Sequence, residues 1–256
     1  MAAPETTTDA RRALLAQLID HAPLFPPASL PLDEALAEDR RVRATQSGWL
    51  VNRFVAPASK LPELAGEPLR LSVVLDSAGL PPADSRIEAV EAPPGVDPEV
   101  LVDAAPEVYV ELPPGDDVFR IDQLAALGFR AKVRCGGQSV PRPAALAELI
   151  WFCRRTGVPF KATAGLHHPV RAGDEHGFLN LLAAAVFGDE QDALEDEDRE
   201  AFSLTADEFS WRDRTAGAEE IARVRRELFV GFGSCSAQEP IDELVALGLL
   251  PPEPPI

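Results

Sequence analysis

The sequence is poor in lysine, in cysteine and in long apolar segments. Its three cysteines are widely spaced, which is not the pattern of a disulfide framework. No apolar run approaches the roughly 20 residues that a membrane-spanning helix needs. We therefore expect neither disulfides nor a membrane span. Of the 24 basic residues, 21 are arginines and only three are lysines, namely Lys60, Lys132 and Lys161.

An excess of positive charge is also missing. The chain carries 24 basic and 42 acidic side chains, so its formal charge is −18. Such a chain does not neutralise phosphates in bulk, which argues against a general nucleic-acid-binding role. The first residues, MAAPETTTDARR, lack the basic and then apolar pattern of a secretory signal. The expected location is cytoplasmic, with no membrane or nucleic-acid partner.

What the chain does contain is an alternation of short apolar segments with amphipathic ones. The pattern of strands alternating with helices predicts a closed (β/α)8 barrel of the TIM type, whose usual length this chain of 256 residues matches. An open doubly wound sheet is the alternative and needs fewer strands. Eight segments have a strand-like pattern: Trp49–Val55, Leu71–Asp76, Ile87–Ala92, Val108–Leu112, Phe129–Cys135, Val158–Thr163, Phe209–Arg212 and Leu228–Gly233.

The first 45 residues have a different pattern. Leucine and isoleucine side chains recur at helical spacing over Ala10–His21, and a short acidic helix is expected over Leu32–Asp39. We therefore predict an N-terminal helical extension over residues 1–45, followed by a single barrel domain over residues 46–256.

The scarce lysines direct attention to the ends of the predicted strands. Where the composition replaces lysine by arginine almost everywhere, the remaining lysines are candidates for positions that require an amine. Active sites of such barrels lie at the C-terminal ends of the strands, and side chains alternate along each strand. Strand parity and the cost of burying charge against helices predict that Glu111, Lys132, Arg134 and Lys161 point into the barrel mouth. Other candidate substrate-binding residues at strand ends are Asp76, Glu91 and Thr163.

Two interpretations of this charged group remain open. Neighbouring cations and partial burial would lower the pKa of one lysine, and a neutral amine is what Schiff-base chemistry requires. Lys161 would then be the nucleophile, and Glu111 would transfer protons. Alternatively, Lys132 and Arg134 pair with Glu91 and Glu111 in a polar plug that holds the barrel shut.

The segments that follow the predicted strands contain glycines, hydroxyls and histidines. Gly136 and Gly137 allow a ligand to approach the backbone, and the sequence GSCS before a helix resembles an anion cradle formed by Ser234 and Ser236. No motif such as HExxH or CxxC supports a metal site among the histidines and cysteines, so neither a metal nor a cofactor is expected. Two histidines that follow the sixth predicted strand are candidate acids or bases, namely His167 and His168.

Two segments carry a resemblance to a known enzyme family. FKATAG resembles the Schiff-base strand of deoxyribose-phosphate aldolase and related class I aldolases, and AKVRCGG resembles the strand of their second lysine. The resemblance implies that Lys161 forms the imine and that Lys132 tunes it. In that family the imine strand comes first, whereas here the order is reversed. KVRCGG, FKATAGLHHP and HGFLN together are also similar to segments of an uncharacterised bacterial barrel family, which implies no mechanism.

The sequence thus favours an enzyme that acts on a small anionic carbonyl compound by aldolase-like or lyase-like chemistry. It leaves a homo-oligomer open. One alternative is a barrel isomerase or hydrolase that uses electrostatic and histidine acid–base catalysis without an imine. The other is a non-catalytic barrel that acts through partners.

Overall fold

A closed barrel of eight parallel strands forms the body of the molecule. The structure, a computed structural model, describes residues 9–77, 79–113, 118–137 and 140–252. The predicted barrel is confirmed, and the open sheet is excluded. The strand order around the barrel is β1-β11-β7-β6-β5-β4-β3-β2. These strands are β1 (Ile19–His21), β2 (Val51–Pro57), β3 (Leu71–Val74), β4 (Ile87–Ala92), β5 (Glu107–Glu111), β6 (Arg130–Arg134), β7 (Phe160–Thr163) and β11 (Phe229–Ser234).

Helices follow most of the barrel strands. Shorter 3-10 helices over Ala58–Leu64 and Pro98–Leu101 replace α-helices after β2 and β4. None of the helices in the described ranges is long and apolar enough to cross a membrane. The α-helices are α1 (Ala10–Leu15), α2 (Leu32–Arg43), α3 (Val118–Leu127), α4 (Pro143–Thr156), α5 (Phe178–Phe187), α6 (Glu190–Glu195), α7 (Ala218–Glu227) and α8 (Gln238–Ala246).

Local sequence explains the boundaries of α4. In α4, Pro143 occupies the first helical turn, where its missing N–H costs nothing. Gly157 ends the helix in the left-handed conformation at φ 70°. The helix α5 is buried along almost its whole length, as its apolar sequence FLNLLAAAVF requires.

The prediction of the N-terminal segment was wrong in one respect. The helix expected over Ala10–His21 ends at Leu15, and Ile19–His21 forms β1, which pairs with both β11 and β2. The segment expected to be a helical extension therefore supplies a strand that closes the barrel. Hydrogen bonds to two neighbouring strands outweigh the helical spacing of the leucines, which is only a local preference.

The seventh predicted strand was also misassigned. It corresponds to β9 (Glu208–Trp211), which lies outside the barrel in a three-stranded antiparallel sheet with β8 (Phe202–Leu204) and β10 (Arg214–Gly217). Only two residues separate β9 from β10. Such a short connection joins antiparallel strands, whereas parallel strands need a crossover of a dozen or more residues.

Candidate functional site

Five charged side chains form an ion cluster inside the barrel, near the C-terminal ends of its strands. Lys161 Nζ lies 2.5 Å from Asp20 Oδ2 and 2.7 Å from Glu91 Oε1. Lys132 Nζ lies 2.9 Å from Glu111 Oε2 and 3.5 Å from Glu91 Oε2. Glu91 therefore bridges the two lysines. We call these residues, Asp20, Glu91, Glu111, Lys132 and Lys161, the floor cluster.

The strand order explains how these residues meet. Glu111, Lys132 and Lys161 stand side by side in register on the adjacent strands β5, β6 and β7. Asp20 and Glu91 lie on β1 and β4, which are not neighbours of β7, so their contacts with Lys161 cross the barrel interior. The predicted inward orientation of Lys132, Lys161 and Glu111 agrees with these contacts.

Burial and charge together determine the protonation of the floor cluster. Lys161 and Glu91 are 1% and 2% exposed. Burial by itself lowers the pKa of Lys161, but attraction to Asp20 and Glu91 outweighs it and raises the pKa above its usual value. Burial likewise raises the pKa of Glu91, but attraction to Lys161 and Lys132 lowers it to about 2. The expected neutral amine is therefore not the resting state of Lys161.

A second polar layer lies below the floor cluster. The Tyr109 hydroxyl donates to Glu107 Oε2 at 2.8 Å, and Arg53 Nη1 donates to the same oxygen at 2.9 Å. Arg130 Nη2 lies 2.9 Å from Glu107 Oε1. Lys161 Nζ lies 5.2 Å from the centre of the Tyr109 ring, within reach of a cation–π contact. This barrel is therefore filled by charged side chains where branched apolar ones are usual.

The floor cluster lies beneath an open cavity of about 560 Å³ at the mouth of the barrel. Glu91, Lys132 and Lys161 line it, whereas Asp20 and Glu111 lie beside it. Further predicted site residues that line the cavity are Arg134, Gly136, Gly137, Thr163, His167 and Ser234. Nine of the thirteen predicted site residues thus line this cavity.

Arg134 differs from the two lysines because it is exposed and lines the cavity without a carboxylate partner. Within the described ranges its side chain makes no hydrogen bond or ion pair. The lysines carry two positive charges against three carboxylates in the floor cluster. The floor cluster therefore has no excess of positive charge, and the unpaired positive charge in the described lining is that of Arg134.

The histidines hold the segment after β7 against its neighbours. His167 Nδ1 lies 3.0 Å from Glu239 Oε2, and His168 Nδ1 lies 2.6 Å from Glu243 Oε1, both on α8. His167 lines the cavity, whereas His168 does not. The buried His176 Nε2 contacts the Pro141 carbonyl oxygen at 2.7 Å. Burial lowers the pKa of His176, so this ring stays neutral.

Glycines allow β6 and β7 to end in close backbone contact. A Cβ on Gly136 would lie 2.5 Å from Gly165 Cα, and Gly165 adopts φ +66°. The preceding residue, Ala164, also has a positive φ of 61°, which is uncommon outside glycine and asparagine. The turn beside Lys161 therefore requires small residues.

Two predicted substrate-binding residues lie away from the cavity. Asp76 is exposed, and its Oδ2 accepts a hydrogen bond from the Ser59 amide at 3.2 Å. The Ser236 carbonyl oxygen accepts from Ser234 Oγ at 2.7 Å, and its hydroxyl accepts from the Glu239 amide at 3.3 Å. Asp76 and Ser236 are thus engaged outside the lining.

Two polar residues of this candidate site were missed. Asp20 was assigned to a helix, although Pro23 shortly after it indicates extended backbone and was an available signal. Ser72 donates from Oγ to Glu91 Oε1 at 2.7 Å. Nothing in the sequence pairs Ser72 with Glu91.

Other reactive groups near the mouth do not form a metal or thiol centre. Among the residues that the structure describes, no group of three or more histidine, cysteine, aspartate or glutamate side chains is placed to hold a metal ion. Cys135 lines the cavity, but burial raises its pKa to about 12, so its thiol is protonated at neutral pH.

Comparison of the whole chain with protein-family models finds no match, and comparison with curated proteins finds no similar sequence.

Proposed function

We propose that the protein is an enzyme whose active site is the barrel mouth, and that it transfers a proton next to the carbonyl group of a small anionic compound. The observation that carries this proposal is the floor cluster beneath the cavity, with Lys161 held between Asp20 and Glu91. In barrels of this fold, catalytic groups lie at this end of the strands.

The free-energy cost of burying the charges of the floor cluster favours a catalytic role over a polar plug. Both lysines are paired and nearly buried, as a plug requires, at 1% and 5% exposure. However, replacing buried ion pairs by apolar residues is often neutral or stabilising, so stability alone does not call for them. Lys132, Lys161 and Glu91 also line a cavity, whereas a plug would close it.

Each residue has a defined role in the proposed reaction. Arg134 binds the anionic group of the substrate. The Lys161 ammonium donates a hydrogen bond to the carbonyl oxygen and stabilises the negative charge that develops there. His167 moves the proton through Nε2, because its Nδ1 is held by Glu239. Glu91 is a weak base at a pKa of about 2 and keeps Lys161 charged.

A second candidate is the Schiff-base reaction, which two short segments resemble. It is favoured by one observation: Lys161 lines the cavity beside two carboxylates that can accept its proton. The amine would then attack the carbonyl carbon and water would leave, forming an iminium that the same carboxylates stabilise. The charged resting state of Lys161 makes this the second candidate.

The test uses NMR to measure how fast the hydrogen on the carbon next to the carbonyl group exchanges for deuterium. It is applied to a panel of anionic oxo compounds. We expect Lys161→Met to lower the exchange rate by about 100-fold, and Lys161→Arg to retain more of it. Lys60→Met is the matched control, because the Lys60 side chain is 45% exposed and, among the described residues, its ion-pair partner is Glu63 alone. Its exchange rate should equal that of the wild type.

Borohydride trapping with the same compounds separates the two chemistries. A reduced adduct mapped to Lys161 by mass spectrometry, with no activity in Lys161→Arg, would replace proton transfer by the imine mechanism. Absence of exchange, of adducts and of binding across the panel would support the polar plug and overturn the proposed enzyme.

A further inference from the structure

The wall of the cavity differs from one side of the barrel to the other. On β6, β7 and β11, its lining includes polar side chains such as Arg134, Thr163 and Ser234. On β2 and β3, the described lining consists of Val55 and Val74 alone. The segment after β1 adds four more apolar residues, which are Ala22, Phe25, Pro26 and Pro27.

The strand order makes this division continuous. The strands β1, β2 and β3 are consecutive in the closed barrel, so their apolar lining forms one arc. We call Ala22, Phe25, Pro26, Pro27, Val55 and Val74 the apolar arc. In a ring of eight strands, β6 stands directly opposite β2. Arg134 and Val55 therefore face the cavity from opposite sides.

The size of the cavity leaves room for a ligand to span it. A volume of about 560 Å³ lies within the range of pockets that bury most of a drug-sized ligand. A three-carbon oxo acid held at Arg134 would leave the apolar arc in contact with water. Covering the arc with apolar atoms releases that water and favours binding.

We infer that the substrate has an apolar chain or ring at the end opposite its anionic group, so that it is an oxo acid with an aliphatic or aromatic substituent. This inference rests on the proposed function, since it places the carbonyl group above Lys161. The anion contacts Arg134 on β6, and the substituent packs on the apolar arc across the mouth.

The test is a calorimetric titration with unbranched 2-oxo acids of three to seven carbons, which measures binding without turnover. We expect the Kd to fall about 4-fold for each added methylene, the value that corresponds to burial of one CH₂ group. A dicarboxylic 2-oxo acid of equal length, which would place a charge on the apolar arc, should bind at least about 10-fold more weakly.

Substitutions in the apolar arc test whether this surface binds the chain. Phe25→Ala and Val74→Thr should each reduce the gain in affinity per added methylene. Two variants are used so that, if one fails to fold, the other still gives the test. Val102→Thr is the control, because Val102 is 52% exposed and lies outside the lining. Arg134→Gln should weaken binding of all the acids alike and leave the gain in affinity per added methylene unchanged.

The outcomes separate this inference from the proposed function. If the acids bind with equal affinity at every chain length, the inference is wrong and the proposed function stands. If none of the acids binds and none exchanges its proton, the proposed function fails and the inference fails with it. A dicarboxylic acid that binds more tightly than its monocarboxylic counterpart would also overturn the inference.

Discussion

Glu91 is the residue that joins the two lysines of the floor cluster. Its two carboxylate oxygens contact Lys161, Lys132 and the Ser72 hydroxyl. It is 2% exposed, so its charge is compensated almost entirely by these neighbours. Removing that charge would leave Lys161 with Asp20 and Lys132 with Glu111.

We expect Glu91→Gln to lower the free energy of unfolding by about 3 kcal/mol at neutral pH, because it removes one partner of a buried ion pair. Urea unfolding followed by circular dichroism measures this loss. Glu63→Gln is the control, since Glu63 forms an exposed pair with Lys60 and should change stability by less than about 1 kcal/mol. A Glu91→Gln variant as stable as the control would show that the bridge contributes little.

The same residue predicts how stability depends on pH. The pKa of Glu91 falls from 4.5 to about 2 on folding, so its ionised form stabilises the folded state fully above about pH 4.5. This contribution is lost as the pH falls towards 2. The difference in unfolding free energy between wild type and Glu91→Gln should therefore shrink from about pH 6 to about pH 3.

Lys161 does not interfere in this acidic range. Its pKa is raised on folding, so its contribution is full below its ordinary value of 10.5 and is lost only at higher pH. A difference between wild type and Glu91→Gln that stayed constant down to about pH 3 would contradict the low pKa of Glu91.

Among the elements, the ends of β6 and β7 depend most on particular residues. Gly136 and Gly165 allow the two backbones to touch directly after the strands that carry Lys132 and Lys161. This contact keeps the two lysine-bearing strands in register at the mouth. Gly136 was predicted, together with Gly137, to favour ligand approach, and in the structure it packs against the backbone of Gly165.

Gly165→Ala should destabilise the protein by about 3 kcal/mol, through the strain of φ +66° and a clash with Gly136 Cα and the Cys135 carbonyl oxygen. Gly173→Ala is a matched control: its φ is +59°, but nothing lies within 4 Å of an added Cβ. Its cost should be about 1 kcal/mol. Equal losses in thermal unfolding would show that the backbone contact is unimportant.

For the whole molecule, closure of the barrel depends on its shortest strand. β1 has three residues, yet it pairs with β11 on one side and β2 on the other. It also brings Asp20 to Lys161. Without β1, two parallel strands would become open edges, and Lys161 would lose a carboxylate.

We therefore expect a chain that begins at Ala22 to lose the native fold and to aggregate through its open strand edges. Near-ultraviolet circular dichroism and gel filtration measure these changes. A chain that begins at Asp9 keeps every described element and serves as the control. A monomeric Ala22 chain with the wild-type spectrum would show that β1 is dispensable for closure.

The distribution of charge also belongs to the whole molecule. The chain carries a net charge of −18. The floor cluster has one more carboxylate than lysine, because Asp20 joins Glu91 and Glu111. In the proposed enzyme, selection for an anion therefore rests on Arg134 at the rim rather than on the lysines.

The amino-acid sequence by itself indicated the barrel and the two lysines at its mouth. Apolar periodicity indicated seven of the eight barrel strands, since a buried strand leaves its pattern in neighbouring residues. The rarity of lysine singled out Lys132 and Lys161, and strand parity placed them on one face. These signals are local, so a linear sequence records them.

Only the tertiary structure decided which strand closes the barrel and whether Lys161 is charged. Three residues are too few to show a period, so β1 is defined by its pairing with β11 and β2. The protonation of Lys161 depends on Asp20, which is 141 residues away in sequence and 2.5 Å away in space. Electrostatic energy depends on distances between atoms, and folding alone sets those distances.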